Sequence, residues 1–400
     1  MLSGSLRDAV EGRAREAPPD ASSADKIGIC HIVSGDRWAG AEVQVATLLG
    51  QLSRENGIRL SAIVLNDGRL AKGIQSCGIE LKVIPEHERS FLEILKEGTA
   101  FLKGRGIRIL HSHRYKENLL AALWARRARV PFVVRTQHGL PEPLDPHRRL
   151  KQGFVQMVDR AIARWATDRV ISVSSEMTRH LTRRFGAEKI VTIPNGISPQ
   201  DVQSCLAVSE AKSRLGIPAN AWVVGYAGRL EPIKRLDIFL HAAQQVSLQA
   251  NSVRFVIAGD GSDEPRLRAL AKQLGLTEHV QFLGHRDDVY DVLRAFDALL
   301  LCSDHEGLPM ILLEAFCLGV PVVARQIGGI PDVVRHNING VLVNKAEAAD
   351  LASACLRLLH DGPTRQRLAE EALRTVTERF SAQKTASQVA ELYRALVRAG

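Results

Sequence analysis

The chain has 400 residues, 45% of them hydrophobic and 24% charged, and its formal net charge is +9. These values exclude a mostly disordered chain, a collagen-like repeat and a coiled coil, and no apolar run approaches the ~18–20 residues of a membrane span. The length predicts two or three domains. Residues 1–25 mix charges with Pro and Ser and have no apolar stretch, so we expect a disordered lead-in and no signal peptide.

Short β-branched runs alternate with longer amphipathic stretches along the chain. Strands are predicted at 26–33, 60–65, 80–84, 107–111, 131–135, 169–173, 189–193, 221–227, 253–258, 279–283, 297–301, 320–324 and 340–343. Helices are predicted at 41–54, 90–104, 116–128, 147–166, 175–185, 234–250, 263–274, 287–296, 309–319, 347–360, 363–378 and 382–398. Apolar strands that alternate with helices form parallel sheets covered on both faces, which predicts an α/β fold.

The alternating series is interrupted near the segment PNGISP (194–199). Two series of roughly 170 residues each are too many for one hydrophobic core. We therefore predict two doubly wound, Rossmann-like domains that face each other across a cleft, at 26–197 and 198–380. Ligands of such sheets bind at the carboxyl ends of the strands, so two facing edges suit a reaction that joins two substrates.

One candidate site follows the predicted strand DALLL. The segment EGLP (306–309) leads into a helix predicted from Leu308 to Gly319, with Pro309 in its first turn. A helix start that faces the cleft favours an anion such as a diphosphate. Glu306 and Glu314 would lie up to ~12 Å apart, on either side of it, as acceptors for sugar and ribose hydroxyls. An acidic pair that merely suits the helix dipole is the structural alternative.

A second candidate site follows the predicted strand AWVVGYA. The segment GRLEPIK (228–234) places Arg229 at the end of this strand and Lys234 at the start of the next predicted helix. Two cations at one strand end would counter a diphosphate and stabilise a leaving nucleoside diphosphate. Solvated charges on a loop are the alternative.

The first domain also has polar residues at the ends of predicted strands. Gly40 opens a helix after a small-residue loop, so backbone can approach a ligand there; GxGxxG spacing is lacking, and a dinucleotide site is unsupported. His111 and His113 follow one strand, and His138 follows the next. A His-x-His pair can ligate a metal, but without a nearby carboxylate or thiol we expect no metal site and take structural histidines as the alternative.

Taken in chain order, five segments resemble those of the family-4 retaining glycosyltransferases of the GT-B fold (glycosyltransferases group 1). They are AGAE (39–42), TQHG (136–139), PNG (194–196), GRLEPIK (228–234) and EGLPMILLE (306–314). The resemblance covers about 26–395. The chain departs from the family at Ala39, where Gly is commoner, at Pro309 and Met310, which replace Gly-Leu, and at Asp332, where Glu is common.

The resemblance implies that the second domain binds a nucleotide-diphosphate sugar and the first an acceptor. The implied donor-binding residues are Gly40, Gly228, Arg229, Lys234, Glu306, Gly307, Leu308 and Glu314. The implied catalytic residues are His138, Arg229, Lys234 and Glu306, and His111, His113 and Arg114 are implied on the acceptor side. Transfer would retain the anomeric configuration by front-face attack, with no cofactor and no divalent metal. The helix at 381–400 would cross back onto the first domain.

The implied reaction moves the sugar to a hydroxyl of a glycan or lipid-linked acceptor, in cell-surface polysaccharide or glycolipid synthesis. Two alternatives remain: a GT-B nucleotide-sugar 2-epimerase, and a non-catalytic nucleic-acid-binding protein. The transferase-like segments argue against the first. Aromatic residues make up only 5% of the chain, which leaves few rings for stacking on bases and argues against the second.

The positive charge is concentrated in the first half of the chain. Residues 1–200 contain 31 of the 53 Lys and Arg residues and 21 of the 44 Asp and Glu residues. We therefore expect the acceptor half to meet a phosphorylated acceptor or an anionic membrane surface, in a cytoplasmic protein held at the inner face of the membrane. The candidate cations are Arg105, Arg108, Arg114, Lys116, Arg126, Arg127, Arg129, Arg148, Arg149 and Lys151.

The six cysteines form no CxxC pair and are expected to be buried, reduced thiols.

Overall fold

The structure, a computed structural model, describes residues 26–35, 38–139, 149–345 and 347–399, with the backbone alone at 149–152 and 154–156. The expected lead-in at 1–25 and the cation Arg148 lie outside the described residues. Among the described residues, no helix combines the length and the apolar character needed to cross a bilayer.

The first sheet consists of parallel strands in the order β3-β2-β1-β4-β5-β6-β7. Its strands are β1 (Ile27–Val33), β2 (Ile58–Val64), β3 (Glu80–Val83), β4 (Ile107–Ser112), β5 (Phe132–Gln137), β6 (Arg169–Ser172) and β7 (Ile190–Thr192). Its helices are α1 (Gly40–Leu52), α2 (Arg69–Ser76), α3 (Phe91–Leu102), α4 (Tyr115–Ala128), α5 (Arg149–Trp165) and α6 (Ser175–Phe185). The strand order changes direction between β1 and β4, which is where such sheets bind ligands.

The second sheet is also parallel, in the order β10-β9-β8-β11-β12-β13. Its strands are β8 (Trp222–Ala227), β9 (Val253–Ala258), β10 (Val280–Gly284), β11 (Ala298–Leu301), β12 (Val322–Arg325) and β13 (Val341–Val343). The helices of this half are α7 (Val208–Arg214), α8 (Leu236–Ser247), α9 (Glu264–Gln273), α10 (Val289–Arg294), α11 (Met310–Cys317), α12 (Ile330–Val333), α13 (Ala348–His360), α14 (Gly362–Arg379) and α15 (Ala382–Ala399). Here the direction changes between β8 and β11.

The strands are continuously apolar because helices cover both faces of each sheet. Along β1, Ile29 and Val33 join the core under α1 and α15, whereas Cys30 and Ile32 join the core under α3 and α4. The predicted α/β fold with two doubly wound, Rossmann-like domains is confirmed. The domain boundaries at 26–197 and 198–380 stay predictions, and the two sheets lie within them.

The last helix, α15, lies on the first domain. Ser381, just before it, pairs with Ile197, and the Thr385 hydroxyl donates to the Pro194 carbonyl at 3.1 Å. Further along, Arg394 donates to Glu55 at 3.1 Å. The helix thereby completes the core of the first domain.

The structure corrects the expectation that all cysteines are buried, and it adds helices to those predicted. Cys77 and Cys205 are exposed thiols, because they lie outside the strands and helix faces that bury Cys30, Cys302 and Cys355. The short helices α2 and α7 lie in segments where no helix was predicted.

Candidate active site

The carboxyl edges of the two sheets meet at three segments that the sequence had placed at separate strand ends. A Cβ atom at Gly307 would collide with the carbonyl oxygen of His138, and one at Gly40 would lie 3.7 Å from the side chain of Met310. Gly40, His138 and Gly307 therefore line one junction between the two domains. Glycine is required at 307 because the backbone of the first domain leaves no space there for a side chain.

Lys234 and Glu306 form an ion pair on the second domain. The ammonium lies 2.7 Å from Oε1 of Glu306, and the Ser303 hydroxyl donates to the same oxygen at 2.6 Å. Glu306 is 8% exposed, so the pair is largely shielded from water. The charge of Lys234 is therefore balanced in the structure, and a ligand anion would compete with Glu306 for it.

Lys234 does not open a helix, contrary to the prediction. It ends a 3-10 turn, Pro232–Lys234, and α8 begins only at Leu236. The residue between them, Arg235, has a left-handed backbone (φ 52°) and donates to the carboxylates of Asp237 and Asp304. This turn separates Lys234 from the helix and turns its side chain to Glu306.

The loop before Glu306 is held by an arginine that the sequence did not single out. Nη1 of Arg325, at the end of β12, donates to the carbonyls of Cys302 and Ser303 at 3.0 Å each and to Asp304 at 2.6 Å. No motif spacing pointed to this residue, because its partners are 21 or more positions away. Arg325 therefore fixes the loop that presents Glu306.

Helix α11 begins at Met310 and not at Leu308, which corrects the predicted helix start. Pro309 has an extended backbone (ψ 126°) at the N-cap, so its missing N–H removes no donor from the first turn. Leu308 is buried, and its carbonyl accepts a hydrogen bond of 3.0 Å from the amide of Asn195. The asparagine of the PNG segment thus ties the first domain to this loop.

Glu314 and Arg229, both implied to bind the donor, lie in opposite environments. Glu314, on α11, is 6% exposed, and burial raises the pKa of its carboxyl to about 7. Arg229 is exposed, and its carbonyl accepts from the hydroxyl of Tyr226 at 2.9 Å. Gly228, just before it, has a positive φ of 149°, which favours glycine at this turn.

Two buried carboxylates occupy the facing edge of the first domain. Glu42, in the first turn of α1, forms an ion pair with Arg114. Glu117 accepts from the Ser34 hydroxyl at 2.5 Å and from the backbone N–H of His113 at 3.2 Å. Burial raises the pKa of Glu117 to about 7. Arg114, expected on the acceptor side, is thus partly committed to Glu42.

The histidines of the first domain form one cluster, which includes a member outside the five family-like segments. His31, within β1, joins His111 and His113, and ligand atoms of the three lie within 4.8 Å of one another. His111 is fully buried, so it has no surface for an acceptor, contrary to expectation. His113 is 5% exposed, and its Nδ1 lies 3.2 Å from Nε2 of His138.

The cluster is poorly arranged for a metal ion. The rings of His111 and His113 are stacked, 19° from parallel with centroids 4.5 Å apart, so their lone pairs do not converge. All six ring nitrogens of the three histidines already take part in hydrogen bonds. A reaction without a metal stays a prediction.

Seven of the ten cations expected to form one basic surface are divided between the two edges of the first sheet. Arg114 and Lys116 lie at the carboxyl edge and are paired with Glu42 and Glu86. At the opposite edge, Arg105 is paired with Glu80. The exposed members of that opposite edge are Arg108, Arg126, Arg127 and Arg129. Arg149 and Lys151 lie in α5, in the part described by its backbone alone.

Comparison with known proteins gives two family matches that together span most of the chain. Residues 208–375 match the family described as Glycosyl transferases group 1, and residues 38–201 match Glycosyltransferase Family 4. The match at 208–375 contains every strand of the second sheet, and the match at 38–201 contains the strands β2 to β7 of the first.

Two curated relatives illustrate the likeness. A D-inositol 3-phosphate glycosyltransferase of Salinispora arenicola is 30% identical over 316 residues, which is 71% of this chain and 68% of the relative. The UDP-Gal:alpha-D-GlcNAc-diphosphoundecaprenol alpha-1,3-galactosyltransferase of Escherichia coli is 29% identical over 267 residues, 65% of this chain and 68% of the relative. This chain covers 66% and 63% of the length of two further D-inositol 3-phosphate glycosyltransferases, which is slightly less than two thirds of each.

A solved structure shows the same fold. Anabaena HepE, crystallised with UDP and glucose, superposes with a TM-score of 0.80 at 23% identity, covering 92% of this chain and 100% of that one. The ordered segments, the family matches and this superposition agree: the chain belongs to family 4 of the glycosyltransferases (glycosyl transferases group 1) and has the GT-B fold.

Proposed function

We propose that this protein transfers a sugar from a nucleotide-diphosphate sugar to an acceptor hydroxyl, with retention of the anomeric configuration. The observation that carries the proposal is the Lys234–Glu306 pair, 2.7 Å apart, in which Glu306 lies on the loop that meets the backbone of His138 across the domain junction. The UDP and glucose bound by HepE support a donor of this class.

The proposed step is front-face attack. The acceptor hydroxyl oxygen bonds to the anomeric carbon on the face from which the diphosphate departs. The bond to the diphosphate oxygen breaks, and the nucleoside diphosphate leaves with the electron pair. The hydroxyl proton passes to the departing phosphate. Arg229 and Lys234 stabilise the negative charge that develops there, so we propose that no divalent metal is needed.

Each donor-binding residue has a role that suits its environment. Glu306 accepts hydrogen bonds from the transferred sugar once a phosphate has taken Lys234. Glu314 accepts those of the ribose, and Leu308 and Gly307 bring backbone close to the diphosphate. Gly40 lets the start of α1 approach the same diphosphate, where its free N–H groups favour an anion.

We propose a phosphate-bearing acceptor, either a glycan or a lipid-linked sugar, in cell-surface polysaccharide or glycolipid synthesis. The names of the relatives support this class, since they specify inositol phosphate and diphosphoundecaprenol acceptors. His138 lies nearest the reacting sugar in this proposal, and Arg114 and His113 lie on the acceptor side.

The test begins with a thermal-shift screen of UDP-, GDP- and ADP-sugars, because the correct donor stabilises the fold by mass action. Lys234→Ala and Glu306→Gln are then compared with wild type in donor hydrolysis and transfer, with EDTA present. We expect a loss of roughly 100-fold or more in kcat/KM for each variant. Lys272→Ala, an exposed lysine of α9, is the matched control and should equal wild type. Full activity in both site variants would sink the proposal.

We further propose that the protein is cytoplasmic and that it binds the anionic inner face of a membrane through α5. Met157, Arg160, Arg164 and Trp165 are exposed at helical spacing along this helix, and Trp165 is 83% exposed. Cations beside an exposed indole suit the interface between headgroups and acyl chains.

Sedimentation with anionic and neutral vesicles at low and high salt tests the membrane proposal. We expect binding to anionic vesicles at low salt, and a several-fold loss in Trp165→Ser. Leu248→Ser is the matched control, since Leu248 is 82% exposed but lies on the second domain. Equal, negligible binding under every condition contradicts the proposal.

A further inference from the structure

A continuous chain of hydrogen bonds runs through the core of the first domain to His138. Its members, in order, are Thr136, His111, Tyr393, His31, His113 and His138. The Thr136 hydroxyl lies 2.8 Å from Nε2 of His111, whose Nδ1 bonds to the hydroxyl of Tyr393. That hydroxyl lies 3.1 Å from Nε2 of His31, and His31 Nδ1 lies 3.1 Å from Nε2 of His113. The last link joins His113 to His138 at 3.2 Å.

The histidine rings in this chain are neutral at pH 7. Burial is the main cause that lowers the pKa of His31 to about 3 and of His138 to about 4, and it lowers the pKa of His111 and His113 as well. Each neutral ring carries one N–H and one bare nitrogen. The charge of Arg114 also disfavours a charged His138, and the buried Glu117 accepts a hydrogen bond from the backbone N–H of His113.

One proton per group leaves the chain only two arrangements. The five links need five hydrogens: the four interior members supply one each and one end member supplies the fifth. Because the buried Tyr393 hydroxyl donates to one ring and accepts from the other, all links point the same way. Either they run from Thr136 to His138, and Nδ1 of His138 carries the proton, or they run in reverse and Nδ1 is bare. That Nδ1 is buried and has no hydrogen-bond partner among the described residues. It is the open end of the chain.

We propose that Tyr393, acting through His31 and His113, orients the imidazole of His138 and sets which of its nitrogens carries the proton. The inference rests on the proposed role of His138 beside the reacting sugar. Tyr393, His31 and His113 act as positioning residues for the sugar transfer, and His138 is the one member of the hydrogen-bond chain that meets the transferred sugar. A residue of the crossing helix α15 thereby takes part in the chemistry of the cleft, 255 positions from His138 in the sequence.

A double-mutant cycle tests the proposal. Tyr393→Phe keeps the ring and removes the hydroxyl, which breaks the chain at its centre. We expect it to lower kcat about five- to fiftyfold with the donor KM unchanged within twofold. In a His138→Ala background the same change should alter kcat by less than twofold, since its target is gone. Ser387→Ala is the control, because it removes a hydrogen bond of α15 to Glu55 outside the chain.

Equal losses from Tyr393→Phe in both backgrounds, or no loss in the wild-type background, overturn the proposal. If His138→Ala itself is fully active, His138 has no role and the proposal fails, while the Lys234 and Glu306 variants still decide the proposed function. Should Tyr393→Phe not fold, His113→Gln breaks the chain one link from His138, and the same cycle applies. ¹⁵N NMR of the histidine rings adds a direct readout: the His138 tautomer must change in the variant, and an unchanged tautomer overturns the proposal.

Discussion

At the scale of single residues, burial sets the protonation of the carboxyl groups around the site. Glu306 and Glu314 are both buried, but the carboxylate of Glu306 has the Lys234 ammonium and the Ser303 hydroxyl as partners. Glu314 has burial as the cause of its raised pKa. Glu314 is therefore protonated over part of the neutral range until something compensates the cost of its charge.

This burial predicts how Glu314→Gln changes stability with pH. The carboxyl has its ordinary pKa of 4.5 when unfolded and about 7 when folded. Between these values the folded state holds a proton that the unfolded state has lost, so wild-type stability falls as pH rises through this window. The variant lacks this loss, and we expect it to be more stable than wild type by roughly 1–3 kcal/mol at pH 8 and equal to it near pH 4.5.

Urea unfolding at pH 4.5, 6 and 8 measures the effect. Glu391→Gln, at an exposed site on α15, should follow wild type at every pH. Glu117, whose pKa is also raised, keeps part of the slope in the variant, so a residual decline is expected. Identical curves for wild type and Glu314→Gln would show that the carboxyl ionises freely in the folded state.

At the scale of elements, the loop between β11 and α11 packs against the first domain through its backbone at Gly307, where no side chain fits. Gly307→Ala places a methyl group against the carbonyl of His138, and Met177 closes the same space. Because both neighbours belong to the other domain, the loop must move away from it. We expect a loss of at least tenfold in kcat/KM, with melting temperature lowered by only a few degrees.

Gly73→Ala in α2 is the matched control for this change. A Cβ at Gly73 meets nothing within 4 Å, and alanine favours a helix, so this variant should be fully active and slightly more stable. Activity of Gly307→Ala equal to that of Gly73→Ala would mean that the contact with His138 is dispensable.

The elements that the sequence predicts are those with long apolar patterns. β11, ALLL, is fully buried and was predicted to within one residue. Helix α2 was missed because Gly73 and flanking Gly68 weaken an eight-residue pattern. His31 was overlooked because a single histidine inside the apolar strand IGICHIV reads as part of the core. Its partner Tyr393 is 362 positions away, a distance over which only the folded structure carries information.

At the scale of the whole molecule, hydrogen bonds and an exposed ion pair add to the backbone packing that joins the domains. Asp332, on α12, accepts from the backbone N–H of Ser175 at 2.7 Å and from its hydroxyl, at the N-terminus of α6. The helix dipole favours a carboxylate at that position. Asn195 of the first domain likewise donates, from its side-chain amide, to the Leu308 carbonyl of the second. An exposed ion pair, Arg69 with Asp287 at 3.3 Å, adds a third link.

The Asn195 link is buried and the Asp332 links lie at a helix N-terminus, whereas Arg69 and Asp287 are both well exposed; the last prediction rests on this difference. The double variant Asp332→Ala/Asn195→Ala removes hydrogen bonds that are worth about 1–2 kcal/mol together, enough to change the ratio of closed to open domains roughly tenfold. We expect a larger radius of gyration by small-angle X-ray scattering and a higher donor KM. Asp287→Ala is the control. The side chains of Arg69 and Asp287 are 54% and 86% exposed, so water replaces this ion pair at little cost, and both the radius of gyration and the donor KM should match wild type. Saturating donor should restore the wild-type scattering curve in the double variant, because a ligand that binds both edges favours the closed state. Wild-type scattering and KM in the double variant would mean that apolar packing alone holds the domains together.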